Sequence, residues 1–338
     1  MDSRARVEAT LIGGAVDRPA AGAWGHRFRD EWSPELLAEM TVERARRFEW
    51  DFVKFQPRAT FFAEAFGAHY RPAGHSLRAP VTDEPRVRGL EDWLGLQLVN
   101  RQVMDDQVRA LELVVAGLGD RVPVVQTVFS PLSVASYLVS ASRRSRGREN
   151  RTLVRQIRAH PDVVLPALDR IADALIDFSR DSVAAGASGI FYAISGFATP
   201  DAMPAAVYDD LVFPTDLRIV QALPAAAWFN VVHLCGSHVN MDVGRRLPVQ
   251  AVSFSIHNQG NPSLGEARTL TGKAVMGGLE QRGVLAGGPL DAIREQVQEA
   301  IASTGGRGLL LAPGCSVPTQ APDVNLRTMM QAAAAAAA

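Results

Sequence analysis

The sequence predicts a single-domain α/β fold, a (β/α)8 (TIM) barrel with a lid-like insertion. Short apolar runs alternate with longer helical patterns along most of the chain, an order typical of a parallel sheet with crossover helices. No G-x-G-x-x-G follows a strand and no G-x-x-x-x-G-K-[ST] is present, which weakens the alternative of an open nucleotide-binding sheet. The length of 338 residues suits a barrel with one insertion.

Seven segments have the composition of buried strands. They are rich in Val, Ile and Phe, and several are apolar throughout, as expected of strands that are covered on both faces. The predicted strands are residues 50–56, 122–128, 189–195, 229–235, 249–254, 274–277 and 309–312.

Two of the intervening segments show a clear one-sided helical pattern. The first begins at Asp162 and the second ends before Gly305, a residue type that commonly stops a helix. The apolar positions are Val164, Leu168, Ile171, Leu175 and Phe178 in the first segment, and Leu290, Ile293, Val297 and Ile301 in the second.

The domain organisation follows from these patterns. Residues 1–23 are predicted to be an N-terminal segment and residues 24–332 the barrel. The insertion is expected at about 60–120, and its polar, proline-bearing middle has the composition of a lid over one barrel end. Residues 333–338 form a low-complexity alanine tail, which we exclude from the fold prediction.

Composition limits the classes of function. Hydrophobic residues make up 47% of the chain and the formal net charge is -1, so a large core is possible and a dedicated nucleic-acid binder is not indicated. Two cysteines exclude a disulfide framework. The sequence has no apolar run long enough for a membrane span and no signal-peptide pattern at its start, so we expect a cytoplasmic protein without membrane contact.

The two cysteines each lie at the end of a predicted strand, and one stands two residues from a histidine. Side chains alternate along a strand, so His233 and Cys235 point to the same side, and closure of a barrel could bring Cys315 to them. A set of one histidine and two cysteines favours zinc. The alternative is that the cysteines are small buried hydrophobes and His233 a satisfied polar group.

Three protein ligands leave the fourth zinc position open, which is typical of a catalytic site. Two thiolates offset the charge of the ion and make it a poor Lewis acid for hydrolysis. A substrate thiol bound in the open position would be deprotonated, and such a zinc thiolate suits attack on an electrophilic methyl group.

Three stretches resemble the uroporphyrinogen decarboxylase superfamily. Residues 122–138 read VPVVQTVFSPLSVASYL, residues 274–279 read AVMGGL, and residues 312–318 read APGCSVP, followed by Pro322 and Asn325. The resemblance covers residues 24–332 and implies a (β/α)8 barrel. The H-x-C pattern with a distant cysteine is similar to the zinc-dependent methylcobalamin:coenzyme M methyltransferases. That resemblance implies His233, Cys235 and Cys315 as ligands of Zn²⁺ and a methylated corrinoid as co-substrate.

Two further histidines are candidates. His257 follows the fifth predicted strand and could be a fourth zinc ligand that substrate displaces, or a proton acceptor for the incoming thiol; the alternative is a loop histidine bonded to the backbone. His238 lies three residues beyond Cys235 and could face the pocket, although a place at a helix start suits it better.

Five residues are candidates for substrate binding. His26, Arg27 and Arg29 could bind a carboxylate or sulfonate, or they could be ordinary exposed residues. Gln126 and Tyr192 lie near the ends of neighbouring predicted strands and could orient substrate, or they could be ordinary hydrogen-bonded barrel residues.

The sequence therefore predicts a zinc-dependent methyltransferase that moves a methyl group between a small-molecule thiol and a corrinoid. No D-x-H-x-x-G signature is present, so the corrinoid would be free or carried by a separate protein. The first alternative is a metal-independent decarboxylase or lyase on the same barrel. The R-Q-A-G-R pattern of that branch is not recognisable, and the acidic residue of its first strand is replaced around Gln56. A binding protein that has lost turnover is the second alternative.

Overall fold

Eight parallel strands form one curled sheet in the computed structural model, which describes residues 1–141 and 146–336. Their order in the sheet is β1-β8-β7-β6-β5-β4-β3-β2, so every neighbour except one is also a neighbour in sequence. The strands are β1 (Ala20–Ala21), β2 (Val53–Phe55), β3 (Val124–Phe129), β4 (Gly189–Ser195), β5 (Val231–Cys235), β6 (Ala251–Ser253), β7 (Ala274–Leu279) and β8 (Leu309–Pro313).

The two edges of the sheet meet between β1 and the residue pair just before β2. The backbone N–H of Asp51 donates to the carbonyl of Ala21 at 2.8 Å, and the N–H of Ala21 donates to the Asp51 carboxylate at 2.9 Å. On its other side β1 pairs with β8, where Ala20 is opposite Leu310. The sheet is therefore a closed (β/α)8 barrel, which confirms the predicted fold class.

Helices form the outer layer. Those within the described residues, besides a 3₁₀ turn at Asp30–Trp32, are α1 (Ser3–Leu11), α2 (Pro34–Arg47), α3 (Phe61–Ala65), α4 (Leu90–Leu94), α5 (Gln102–Leu118), α6 (Pro131–Val139), α7 (Arg146–Ala159), α8 (Pro161–Ala184), α9 (Ala205–Leu211), α10 (Phe213–Gln221), α11 (Met241–Arg246), α12 (Leu264–Thr271), α13 (Val284–Gly287), α14 (Leu290–Thr304) and α15 (Asp323–Ala335).

The helix boundaries follow from local chemistry. Helix α12 begins with a capping box, in which the Ser263 hydroxyl accepts from the N–H of Glu266 while the Glu266 carboxylate accepts from the N–H of Ser263. It ends at Gly272, whose φ of 69° is left-handed and suits glycine. Helix α14 ends in the same way at Gly305, as the sequence predicts.

The predicted helical patterns bury the expected faces. All five apolar positions of the first pattern are buried on α8. On α14, Ile293 and Val297 are buried, whereas Leu290 and Ile301 are half-buried near the helix ends. The seven predicted strands also coincide with β2 to β8, shifted by a few residues at their ends.

Three parts of the predicted organisation differ in detail. The first strand, β1, lies within the predicted N-terminal segment 1–23. The predicted insertion contains α5, which packs on α2 as an ordinary crossover helix, so the additional chain is confined to the part before α5. The start of the alanine tail belongs to α15, where Ala333 is fully buried, while residues 337–338 lie outside the described residues. A lid role for the insertion stays a prediction.

Among the described residues, no helix combines the length and the apolar composition that a membrane crossing requires.

A buried carboxyl group links the barrel wall to its helical layer. The Tyr192 hydroxyl of β4 donates to Asp216 of α10 at 2.6 Å, and the Tyr208 hydroxyl of α9 donates to the other carboxylate oxygen. Burial raises the pKa of Asp216 to about 6, although the two tyrosine hydrogen bonds oppose that shift.

We expect this carboxyl group to make stability depend on pH. The pKa of Asp216 in the folded protein lies above the ordinary value of 3.8. The stability that the protonated carboxyl group contributes is therefore complete below pH 3.8 and is lost as the pH rises through about 6. Relative to Asp216→Asn, the free energy of unfolding of the wild type should fall by about 2 kcal/mol between pH 4.5 and 7.5. Urea unfolding of both proteins measures the difference, and a difference that stays constant over this range would contradict the assignment.

Candidate metal centre

One histidine and two cysteines meet where the strands of the barrel end. His233 and Cys235 lie on β5, and Cys315 follows β8, which is separated from β5 by two strands. The nitrogen and sulfur donor atoms of the three residues all lie within 4.8 Å of one another. His233 is buried and both cysteines are half-buried and reduced, so the group is held by the fold yet reachable from solvent.

The donor set fits a zinc ion. Tetrahedral zinc with sulfur and nitrogen ligands requires separations of about 3.5–3.8 Å between donor atoms, so small side-chain rotations suffice from the observed arrangement. Thiolate and imidazole ligands are the combination that zinc favours. Three donors also leave one tetrahedral position for another ligand.

The orientation of the His233 ring is fixed by two neighbours. Its Nδ1 is hydrogen-bonded to the Ser253 hydroxyl of β6 at 3.1 Å, and its ring stacks on Phe191 of β4 with centroids 5.2 Å apart. With Nδ1 engaged, Nε2 is the nitrogen left for a metal. A hydrogen bond of this kind orients the ligating imidazole in metal sites.

We expect Ser253→Ala to weaken zinc binding by about 10–100-fold, because the variant removes the hydrogen bond that orients His233. Competition with a chelator of known affinity measures the change. The matched control is Ser255→Ala, since the buried Ser255 hydroxyl has no hydrogen-bond partner within the described ranges. Equal zinc affinity in the Ser253→Ala variant and the wild type would argue against this role.

The two thiols differ in acidity because they share a hydrogen bond. The hydrogen bond from Cys235 holds the pKa of Cys315 well below its ordinary value, and His233 acts in the same direction. The same pairing, together with burial, raises the pKa of Cys235. Cys315 is therefore the thiol that is ready to bind a cation as a thiolate.

The two other candidate histidines are not members of this cluster. His257 lies after β6, and its Nε2 is hydrogen-bonded to the carbonyl of Gly278 at 3.1 Å. This contact corresponds to the alternative of a loop histidine bonded to the backbone. His238 precedes α11, is 40% exposed, and contacts Asp201 at 3.0 Å through Nδ1. Within the described chain neither belongs to the group of converging donors. A catalytic role of His257 stays a prediction.

Of the three N-terminal candidates, only His26 is directed toward the barrel. Its Nε2 contacts the Gln56 amide at 3.1 Å and its Nδ1 contacts the Glu31 carboxylate at 2.9 Å. Arg27 is exposed and pairs with Asp30 at 3.4 Å, and Arg29 is also exposed. Substrate binding by the two arginines has no support from this arrangement.

The candidates on β3 and β4 are both fully buried. Gln126 donates to the carbonyl of Thr127, and its amide oxygen has no hydrogen-bond partner within the described ranges. Tyr192 is directed to the helical layer, where Asp216 accepts from its hydroxyl. The structure therefore does not bring Tyr192 to the metal centre, whereas its neighbour Phe191 contacts His233.

Sequence reasoning missed a buried lysine beside the centre. The Lys54 side chain of β2 is 6% exposed, donates to the Gln56 amide oxygen, and lies over the Phe191 ring at 4.8 Å from its centroid. Burial lowers its pKa to about 7, an effect that the charges of Cys315 and Glu31 oppose. The available signal was a lysine within an apolar strand, in a chain that has only one other, Lys273.

These features define a (β/α)8-barrel protein with a candidate metal centre at the carboxyl ends of its strands. The chain belongs to the uroporphyrinogen decarboxylase family, because the sequence profile described as "Uroporphyrinogen decarboxylase (URO-D)" matches residues 26–336.

Relatives of two kinds are similar in sequence. "Methylcobamide:CoM methyltransferase MtaA" of Methanosarcina barkeri (strain Fusaro / DSM 804) is 23% identical over 302 residues, which cover 89% of this chain and 84% of the relative. "Uroporphyrinogen decarboxylase" of Mycobacterium sp. (strain KMS) is 27% identical over 283 residues, which cover 78% and 73%.

Solved structures share the fold. "Methyltransferase from Methanosarcina mazei" superposes with a TM-score of 0.81 at 22% identity and covers 100% of both chains. A B12-independent methionine synthase from Shewanella sp. W3-18-1 has a TM-score of 0.60 at 14% identity, with coverage of 90% and 86%. At these identities the likeness concerns the fold.

Proposed function

We propose that this chain is a zinc-dependent methyltransferase that moves a methyl group between a corrinoid carrier and a small-molecule thiol. The observation that carries the proposal is the convergence of one imidazole and two thiols within 4.8 Å at the carboxyl ends of the strands. Active sites of such barrels are built at this end. The match to "Methylcobamide:CoM methyltransferase MtaA" covers 84% of that relative and supports the same proposal.

His233, Cys235 and Cys315 are the residues that would hold the metal. Bound there, zinc supplies a position in which a substrate sulfur is kept deprotonated at neutral pH. Two cysteine thiolates offset the charge of the ion, which favours a nucleophilic sulfur over polarisation of a carbonyl group. His233 contributes a neutral ligand, and Ser253 keeps its ring in place.

The overall reaction balances without an oxidant or a reductant. The thiol sulfur forms a bond to the methyl carbon, the carbon–cobalt bond of the corrinoid breaks with its electron pair staying on cobalt, and the thiol proton is released. The chain has no corrinoid-binding signature of its own, so the carrier is a free corrinoid or a separate corrinoid protein.

A decarboxylase of the same family is the second candidate, because relatives of that name match at 27% identity. Recognition of a polycarboxylate requires several cationic side chains at the barrel mouth. The sequence suggested Arg27 and Arg29 for this role, and both side chains are exposed. The paired cysteines would also have no role in a metal-independent reaction. Both observations favour the methyltransferase.

A methyl-transfer assay separates the two functions. Zinc-loaded protein is mixed with methylcobalamin and a panel of thiols, and loss of the methyl group from cobalt is followed by absorbance while the thioether is identified by mass spectrometry. We expect thioether formation that stops after chelation and returns with zinc. Release of carbon dioxide from uroporphyrinogen after exhaustive chelation, with no thioether from any thiol, would instead establish the decarboxylase.

A further inference from the structure

Helix α7 concentrates positive charge on one exposed face. The residues of this arginine stripe are Arg148, Arg151, Arg155 and Arg158, and all four are exposed. Their spacings of 3, 4 and 3 residues place them on one side of the helix, whereas Leu153 and Ile157 are buried on the opposite side. The stripe is about 15 Å long, at 1.5 Å of rise per residue.

The charge of the stripe is not balanced by its surroundings. Helix α7 has five arginines and one glutamate, so its net charge is +4 in a chain whose net charge is -1. Exposed arginines on other helices pair with an acidic residue three positions away, as in Arg109–Glu112 and Arg294–Asp291. No arginine of the stripe forms an ion pair with any residue that the structure describes. Because like charges three or four positions apart destabilise a helix, the stripe does not serve the fold, and an external anion would neutralise it.

Helix α7 belongs to the end of the barrel that holds the candidate metal centre. Asn150 of α7 accepts from the Ser136 hydroxyl of α6 at 2.7 Å, and α6 begins directly after β3. The Ser133 hydroxyl of α6 in turn accepts from the N–H of Ser195 at 2.9 Å, and Ser195 is the residue of β4 opposite Cys235. A partner bound to the stripe would therefore lie beside the barrel mouth.

The surroundings of the stripe favour a protein partner over a nucleic acid. The Trp93 indole of α4 donates to Gln156 of α7 at 3.3 Å, and Leu94 and Val99, in and just after α4, are 66% and 62% exposed. Arginines next to apolar contact area are typical of protein interfaces. Since α7 carries +4 of a total of -1, the rest of the chain carries -5 and would repel an extended polyanion.

We propose that the arginine stripe is the docking surface for an acidic face of the separate protein that carries the corrinoid. The inference rests on the proposed function and decides between the two carriers that it leaves open. A free corrinoid needs no charged surface outside the barrel mouth. A corrinoid held by a protein must be orientated toward the mouth by contacts around it, and charge complementarity supplies such orientation.

The test measures binding of a corrinoid protein that bears the D-x-H-x-x-G signature and is encoded in the same genome. Biolayer interferometry without any thiol compares the wild type with the Arg151→Glu/Arg155→Glu variant. We expect the variant to bind more than about 10-fold more weakly, and we expect added salt to weaken the wild-type complex more than that of the variant. The matched control is Arg109→Glu/Arg294→Glu, which changes the net charge equally on two other helices and should bind as the wild type does.

Methyl transfer from free methylcobalamin separates this inference from the proposed function. Both double variants should use free methylcobalamin as the wild type does, whereas kcat/KM for the protein-bound donor should fall in the stripe variant alone. Binding through the stripe with no thioether from either donor would contradict the proposed function and keep the docking surface.

Two results would overturn the docking surface itself. The first is equal binding of the corrinoid protein by the two double variants, or no binding by the wild type, while free methylcobalamin still methylates thiols. The second is stripe-dependent binding of a single-stranded RNA oligonucleotide or of phosphatidylserine vesicles without binding of the corrinoid protein, which would assign the stripe to a different class of partner.

Discussion

The Cys315→Ala variant should lose zinc and methyl transfer together. Cys315 is the thiol with the lowered pKa, and it is the donor that connects β8 to the two donors of β5, so its removal leaves only His233 and Cys235. Two protein ligands bind zinc much more weakly than three. The loss should exceed the ~10–100-fold expected when a residue that only orients a ligand is removed, as Ser253 orients His233, and Cys235→Ala should behave in the same way.

Zinc content by elemental analysis and turnover with methylcobalamin check this prediction on the same preparations. Ser316→Ala is the matched control, because it alters the neighbouring side chain in the loop after β8 and keeps both cysteines. A Cys315→Ala or Cys235→Ala protein that is free of zinc and fully active would exclude the zinc mechanism.

The Asp51→Ala variant should lose about 3 kcal/mol of stability, the lower end of the range for breaking a buried ion pair, because it removes the buried carboxylate that Arg6 and Arg18 share while Arg6 keeps its second partner, Asp17. The Asp51 carboxylate is fully buried and accepts from Arg6 at 2.6 Å, from Arg18 at 2.5 Å and from the N–H of Ala21 at 2.9 Å. It therefore ties α1 and β1 to β2, at the position where the barrel closes.

Chemical denaturation measures the change in the free energy of unfolding. The matched control is Asp83→Ala, which breaks an ion pair with Arg71 whose side chains are 79% and 60% exposed; we expect little effect there, because water already screens those charges. Similar stability losses in the two variants would contradict the closing role of Asp51. Zinc binding by the surviving folded Asp51→Ala protein should stay intact, since Asp51 lies at the opposite end of β2 from the centre.

Much of the barrel could be predicted from local sequence. The strands β2 to β8 are apolar runs between helical patterns, and burial on both faces gives such strands their composition. Strand β1 could not be found in this way. It consists of Ala20 and Ala21, which have no distinctive strand composition, and its pairing with Leu310 and Leu311 of β8 exists only in the closed barrel.

The part of the candidate site that depends on residues close together in sequence was predictable. The spacing of His233 and Cys235 fixes their common side on a strand, and Cys315 occupies a corresponding strand end. The direction of Tyr192 was not predictable, because β4 is buried along nearly its whole length and an apolar run does not reveal which face looks into the barrel. Lys54 was also not predictable as part of the site. Its aromatic neighbour Phe191 comes from another strand, and that proximity exists only in the folded barrel.

The central claim is that one zinc ion is bound by His233, Cys235 and Cys315 with a position left for a thiol. Zinc-edge X-ray absorption of the purified wild type, with and without a bound thiol, tests it most directly. We predict one zinc per chain with two sulfur scatterers and at least one nitrogen, and a third sulfur when the thiol is added. The same zinc content and spectrum in the Cys235→Ala and Cys315→Ala variants, or no stoichiometric zinc in the wild type, would contradict the claim.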